Sequence, residues 1–279
     1  MVDVMDFKAP QDRVAQNEGM RSEIGLTPTR RVIGRSLALV YGVASYLAFL
    51  AAFLYAIGFV GNLVVPKSID SGPTDSLLVA VLVDTLLLLL FAVPHSVMAR
   101  PAFKGWLTRF IPPPVERSTY VLVSSLALGL LFWQWRPIPV IVWNVSNPIG
   151  RWFLHAVFWG GWAIVLVSTF LIDHFDLFGI RQVYLYASGR PYTPVDFRVP
   201  GFYRYVRHPI MLGFLIAFWA APPMTVGHLL FAAATTAYIL IALQLEEQDL
   251  VGLHGERYQG YQQQVRMLLP VPKPRKPSR

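Results

Sequence analysis

The chain has 279 residues, 54% of them hydrophobic and 14% charged, with a formal net charge of +8 and a positive mean hydropathy. That profile excludes an ordinary soluble globular domain and defines an integral membrane protein. The absence of cysteine excludes disulfides, thiolate metal sites and cysteine nucleophiles, and six scattered histidines give no dedicated metal cage, so no metal is expected.

Residues 1–30 are polar, carry both signs of charge and lack the apolar core of a signal peptide, so a soluble arm is expected. Hydrophobic segments follow at 37–60, 76–98, 118–135, 152–172, 209–221 and 225–245. Crossing a hydrocarbon core of ~30 Å takes about 20 helical residues, so the first four read as spans. The fifth rises only about 20 Å. It is expected to enter the bilayer, turn at Pro222-Pro223 and return through the longer sixth segment. The expected fold is an all-α integral membrane protein: four transmembrane helices plus a C-terminal helical hairpin, five to six hydrophobic helices in all. Along the chain this gives an arm (1–30), membrane helices (31–175), a loop, hairpin and C-terminal helix (176–270) and a basic tail (271–279).

Loop charges orient the bundle. Arg30, Arg31 and Arg35 precede the first span; Arg100, Lys104, Arg109 and Arg117 follow the second; Arg181, Arg190, Arg198, Arg204 and Arg207 follow the fourth; Lys273, Arg275, Lys276 and Arg279 end the chain. All fall on one side, which the positive-inside rule makes cytoplasmic, with both termini there. The opposite connections hold Lys67, Asp70 and Asp75 in one case, and Arg136 among Trp133, Trp135, Trp143 and Trp152 in the other, a pattern resembling an interfacial aromatic belt. The basic charge thus points to the lipid bilayer as partner and not to nucleic acid.

This topology collects polar residues on the cytoplasmic side. His95 lies near the end of the second span, Asp173 and His174 end the fourth, Arg207 and His208 open the hairpin, and Glu246 and Glu247 close it. Counted from the Pro-Pro turn, the two glutamates lie about 12 Å beyond His208, which predicts no direct salt bridge and room for a ligand between them. Each half has a plainer reading: snorkelling charge with a first-turn proline, or a solvated helix face. Tyr258 and Tyr261, three apart, suit an interfacial stripe on an amphipathic helix. Asp84 stands inside the second span, where a carboxylate is costly unless paired or protonated; it is either catalytic or packed on polar groups of the third or fourth span.

Gly201-Phe202-Tyr203, Arg207-His208-Pro209 with Gly213, Glu246-Glu247 with Leu250, then Gly255, Tyr258, Tyr261 and Leu269-Pro270 resemble the C-terminal signature of the isoprenylcysteine carboxyl methyltransferase superfamily. The resemblance implies a membrane methyltransferase that uses S-adenosyl-L-methionine without a soluble Rossmann domain, and no Gly-x-Gly-x-x-Gly run occurs here. Met211 replaces the tyrosine usual in that motif, and Ala242 stands where those enzymes carry a substrate-binding arginine. Pro94-His95-Ser96-Val97-Met98-Ala99-Arg100-Pro101, Glu116-Arg117-Ser118-Thr119-Tyr120 and Trp133-Gln134-Trp135-Arg136-Pro137 are similar to the bacterial methanethiol S-methyltransferases, over almost everything after the arm. That likeness implies a bacterial inner-membrane enzyme making dimethyl sulfide from a small thiol. Two other readings stay open: a related methyltransferase acting on a lipid amine or larger thiol, and a non-catalytic, denitrification-associated membrane relative.

Methyl transfer from a sulfonium proceeds by in-line attack, so donor and nucleophile must be held at contact distance away from water. A small thiol is poorly ionised near neutral pH and needs a base or a nearby cation. Arg207 is the candidate for stabilising the thiolate, with Asp173 or His95 accepting the proton. Carried over from the superfamily motif, Tyr203, His208, Pro209, Glu246, Glu247 and Tyr258 would bind the cofactor. Phe197 and Arg198 in the preceding loop join them, and Arg198 or Arg207 could pair with the cofactor's carboxylate.

Overall fold

The computed structural model describes residues 5–6, 28–193 and 196–271, so most of the expected arm and basic tail lie outside the described residues. Among the described residues, five helices are long and apolar enough to cross a membrane. They are α1 (Pro28–Gly61), α2 (Leu77–Ala99), α4 (Glu116–Gln134), α5 (Pro148–Ile172) and α9 (Val226–His254), with the shorter apolar α8 (Pro209–Trp219) between the last two. Short helices α3 (Pro101–Leu107), α6 (His174–Leu177), α7 (Ile180–Ala187) and α10 (Glu256–Gln264) line the charged end. The four spans and the hairpin therefore stand as expected, and the hairpin's return arm is itself long enough to span. It also runs nine residues past the predicted end, because Glu246 to His254 continue the helix outside the apolar run.

Two short antiparallel ladders interrupt the all-helical pattern. At the far end β2 (Ile141–Asn144) pairs with β4 (Pro223–Thr225), so the expected Pro-Pro turn is drawn out into a strand. The β-branched run Ile138-Pro139-Val140-Ile141-Val142 suits this extended form. At the charged end β1 (Met5–Asp6) pairs with β3 (Asp196–Phe197).

Local chemistry fixes the helix ends. The Asn147 side chain accepts from the backbone N–H groups of Ile149 and Gly150 at 2.8 and 3.2 Å, with Pro148 as first helical residue of α5. Thr225 Oγ1 likewise accepts from the N–H of His228 at 3.1 Å to start α9. Asp84 is fully buried in α2, and its Oδ1 accepts the Arg136 N–H at 2.8 Å, just beyond the end of α4. Lys67 closes the same region by donating from Nζ to the Trp133 carbonyl at 2.7 Å. Asp84 therefore packs on polar groups at the third span's outer end.

Packing places α8 chiefly against α5, with Phe218 and Trp219 at its end also meeting the return arm. Gly161 and Gly213 face each other: a Cβ on Gly161 would come within 2.7 Å of the Gly213 carbonyl and of the Ala217 nitrogen. Small residues let these two backbones approach as no larger side chain would. The core at the outer half is aromatic, with Phe59, Phe132, Trp135, Trp162, Phe218 and Phe231 packed together. The charged ends of α1, α2, α4, α5, α8 and α9 share one side. Arg100 at the foot of α2 meets Asp249 of α9 at 2.5 Å, and Tyr46 of α1 meets His174 after α5 at 2.9 Å.

Candidate functional site

Glu247 is the hub of the charged end. Arg207 grips it with two parallel bonds, Nε to Oε1 and Nη2 to Oε2, each 2.8 Å. His208 Nε2 lies 2.7 Å from Oε1, and because a carboxylate only accepts, that nitrogen carries the proton. The Tyr258 hydroxyl donates to Oε1 at 2.8 Å and Gln262 Nε2 donates to Oε2. Burial, and then the carboxylate beside it, push the Tyr258 phenol well above its ordinary range, which keeps it a donor. The remaining Arg207 nitrogen reaches the Gln262 and Val265 carbonyls at the C-terminal end of α10.

The direct pairing of Glu247 with Arg207 and His208 overturns the expected gap. Counting turns located only Cα atoms. Side chains reaching ~5–7 Å from each side, with less than 3 Å between them, span an offset of about 12 Å. The Arg207-His208 backbone is also drawn against the chain's end, donating to the Arg266 and Met267 carbonyls at 2.9 and 3.1 Å. Tyr261, one turn after Tyr258 and directly before Gln262, donates to the Tyr203 carbonyl at 2.6 Å and ties α10 to the loop before α8.

Beneath this knot opens a cavity of about 1400 Å³ that reaches into the bundle. Its charged mouth is lined by Arg198, Tyr203, Arg207, His208, Glu246 and Tyr258, and its depth by aromatic and aliphatic side chains such as Phe53, Phe91, Trp162 and Phe214. Its flank between α1 and α5 includes Leu50, Leu54, Leu166 and Phe170, all exposed where lipid would lie. Glu246 differs from its neighbour: its side chain is 45% exposed, against 9% for Glu247, and lies 3.8 Å from His208 Nδ1. Pro209 is buried as the first residue of α8, and Phe197 lies in β3 directly before Arg198.

Of the residues expected to handle the thiol and its proton, Asp173 and His95 line the cavity. Asp173 also caps α6, accepting from the Asp176 N–H at 3.0 Å. His95 sits between Ser124 (3.0 Å from Nδ1) and the Tyr120 hydroxyl (2.8 Å from Nε2). Arg207 reaches the cavity wall, but four of its five N–H donors are taken by Glu247 and two carbonyls. Three participants escaped the sequence reading. Tyr46 and Tyr120 look like ordinary span residues, whereas Gln262 could have been found from its i, i+4 spacing to Tyr258.

The arrangement is that of an integral membrane protein with a polar side-chain cluster at one face and an apolar chamber beneath it. The chain belongs to the NnrU protein family, whose pattern matches residues 83–247. Within that group it is 56% identical over 244 residues to a methanethiol S-methyltransferase of Crocosphaera subtropica, covering 88% of this chain and 96% of that one. It is 58% identical over 238 residues to the methanethiol S-methyltransferase of Mycobacterium tuberculosis, covering 85% and 98% of the two chains. A more distant relative, nurim of Mus musculus, is 32% identical over 192 residues, 65% of this chain and 72% of that one. No solved structure matches.

Proposed function

We propose that this chain transfers a methyl group from S-adenosyl-L-methionine to methanethiol, yielding dimethyl sulfide, at the cytoplasmic face of a bacterial inner membrane. The observation that carries this reading is identity above 50%, over most of the chain, to proteins named methanethiol S-methyltransferase. The site's chemistry fits the cofactor. Glu246 offers a half-exposed carboxylate for the donor's amine or ribose hydroxyls, Arg198 a cation for its carboxylate, and aromatic faces a surface that attracts a sulfonium. When bound, the donor supplies an electrophilic methyl group.

The chain's own residues then do the rest. Tyr203, His208, Glu246 and Arg198 line the mouth and bind, with Phe197 preceding Arg198 in β3. Pro209 fixes the start of α8 beneath His208. Glu247 and Tyr258 hold His208 and Arg207 in place, so Arg207 serves the binding site's geometry rather than the thiolate. The apolar chamber excludes water from the reacting sulfur, and Asp173 and His95 add polar groups to its wall. Ala242 lines the cavity without adding a charge, which suits a small neutral acceptor.

Purified protein in detergent, given methanethiol and methyl-labelled cofactor, should release labelled dimethyl sulfide; absence of cofactor-dependent product would refute the assignment. Adenosylhomocysteine should bind to the wild type by calorimetry and about 10- to 100-fold more weakly to Glu246→Ala, the loss of one charge-assisted hydrogen bond. A cavity this large favours a second reading, a bulkier thiol as acceptor, which a panel of thiols of increasing chain length would reveal by a rising kcat/KM.

A further inference from the structure

His174 lies on the cavity wall, one residue after Asp173, and is 5% exposed. Its ring stacks on Phe170 at 4.2 Å and 5° and is flanked by Phe49 and Phe178. Two hydroxyls meet its two nitrogens: Thr169 Oγ1 is 2.9 Å from Nδ1, and the Tyr46 hydroxyl is 2.9 Å from Nε2. The proton positions follow from what each partner can do. The Thr169 hydroxyl has one hydrogen and gives it to the Leu166 carbonyl at 2.7 Å, an acceptor that cannot donate. Thr169 must therefore accept from Nδ1–H. The neutral ring then carries a bare lone pair at Nε2, and Tyr46 donates to it. Burial lowers the affinity of His174 for a second proton, which favours the neutral ring, and Asp173 partly opposes this.

We infer that Tyr46 and His174 form the proton relay of the reaction, Tyr46 being the group that touches the thiol and His174 the base behind it. This rests on the thiol-methylation reading above. As the thiol sulfur attacks the methyl carbon, its S–H proton passes to the Tyr46 oxygen while the Tyr46 proton passes to His174 Nε2. One carbon–sulfur bond forms to the acceptor, the carbon–sulfur bond to the donor breaks, and the sulfonium's positive charge reappears on the imidazolium. That proton later returns to solvent. Asp173, adjacent in the chain, supplies the negative charge that favours the imidazolium. The other candidate histidine is placed differently. His95 also meets a tyrosine, Tyr120, but the Arg117 guanidinium lies 5.6 Å over that tyrosine's ring and no carboxylate neighbours His95 in the chain as Asp173 does His174. Thr169 is a positioning residue, acting only through the tautomer it imposes.

The test uses the full chain in detergent with a series of thiols of similar size and graded acidity, from ethanethiol to the far more acidic trifluoroethanethiol. A general base is worth roughly 10²–10⁴-fold, so His174→Gln should lower kcat with ethanethiol by at least about 100-fold, with KM little changed. The conservative Tyr46→Phe should lower it at least about tenfold. Both losses should shrink as the acceptor becomes acidic enough to ionise without help. Nitrogen-15 spectra of histidine-labelled protein should show one ring as the Nδ1–H tautomer at neutral pH, a signature that Thr169→Val abolishes. Losses that are the same for every acceptor, or an Nε2–H tautomer at His174, would overturn the relay. A wild type that binds adenosylhomocysteine but methylates no thiol would instead remove the functional reading on which the relay rests.

Discussion

The most demanding test of the site's architecture is Glu247→Gln. Five donors converge on the Glu247 carboxylate: Arg207 Nε and Nη2, His208 Nε2, Tyr258 Oη and Gln262 Nε2. Glutamine has the same shape but keeps one carbonyl oxygen. With that oxygen in the place of Oε1, three donors remain served, while an NH₂ group faces Arg207 Nη2 and Gln262. Two bonds become donor-to-donor contacts, and the guanidinium loses its counter-charge with only 8% of its side chain exposed. Removing one partner of a buried ion pair costs about 3–5 kcal/mol. The cost falls on α10, which Glu247 and Arg207 hold through Tyr258, Gln262 and the Val265 carbonyl. Opening of α10 should become roughly 10²- to 10³-fold more frequent, since each 1.4 kcal/mol is tenfold. Limited trypsinolysis at Arg257, which is exposed but helical, reads this opening when reclosing outpaces cleavage. Glu246→Gln is the control and should leave the nicking rate unchanged. Equal rates for Glu247→Gln and the wild type would show that the carboxylate does not hold the helix, and the argument from its five partners would fall.

Two further outcomes follow from the fold. Asp84→Asn keeps an oxygen for the Arg136 N–H and should retain activity, whereas Asp84→Leu strands that donor and should lower thermal stability by about 1–3 kcal/mol; an inactive but stable Asp84→Asn would assign Asp84 to catalysis instead. Gly161→Val forces side-chain atoms against the Gly213 carbonyl and Ala217 nitrogen of α8, and should cost about 1–3 kcal/mol or more, measured as a lower melting temperature; an unchanged melting temperature would mean α5 and α8 can separate freely.

The membrane elements were legible because a long apolar run has few alternatives in lipid: every backbone group must be paired within the segment. The predicted spans agree with the observed helices to within a few residues at most ends. The second matches its apolar run to one residue at each end, the first begins at Pro28, nine residues before its apolar run, and the short 209–221 segment is a short helix. The extended link between α8 and α9 was not legible, because Pro222-Pro223 serves a turn and an edge strand equally well. The site was legible as a set of residue types but not as a set of contacts. Axial counting separated Arg207 from Glu247 because it takes no account of how far long side chains bend toward each other. Tyr46 and His174 are 128 positions apart, and nothing in a hydrophobic helix marks which tyrosine faces inward. Asp84 was read as an anomaly of the second span, since its partner is a backbone N–H, which sequence does not display.

The Arg207–Glu247 knot also has a meaning in time. Its partners on the C-terminal side, the Gln262 side chain and the carbonyls of Val265, Arg266 and Met267, follow α9 in the chain and so are synthesised after it. Arg207 and His208 therefore gain their full set of partners only after the membrane helices that precede these residues have been made. The membrane body is built first and the Glu247 cluster closes after it, so a copy cut short after α9 would lie in the bilayer with Arg207 and Glu247 short of their α10 partners.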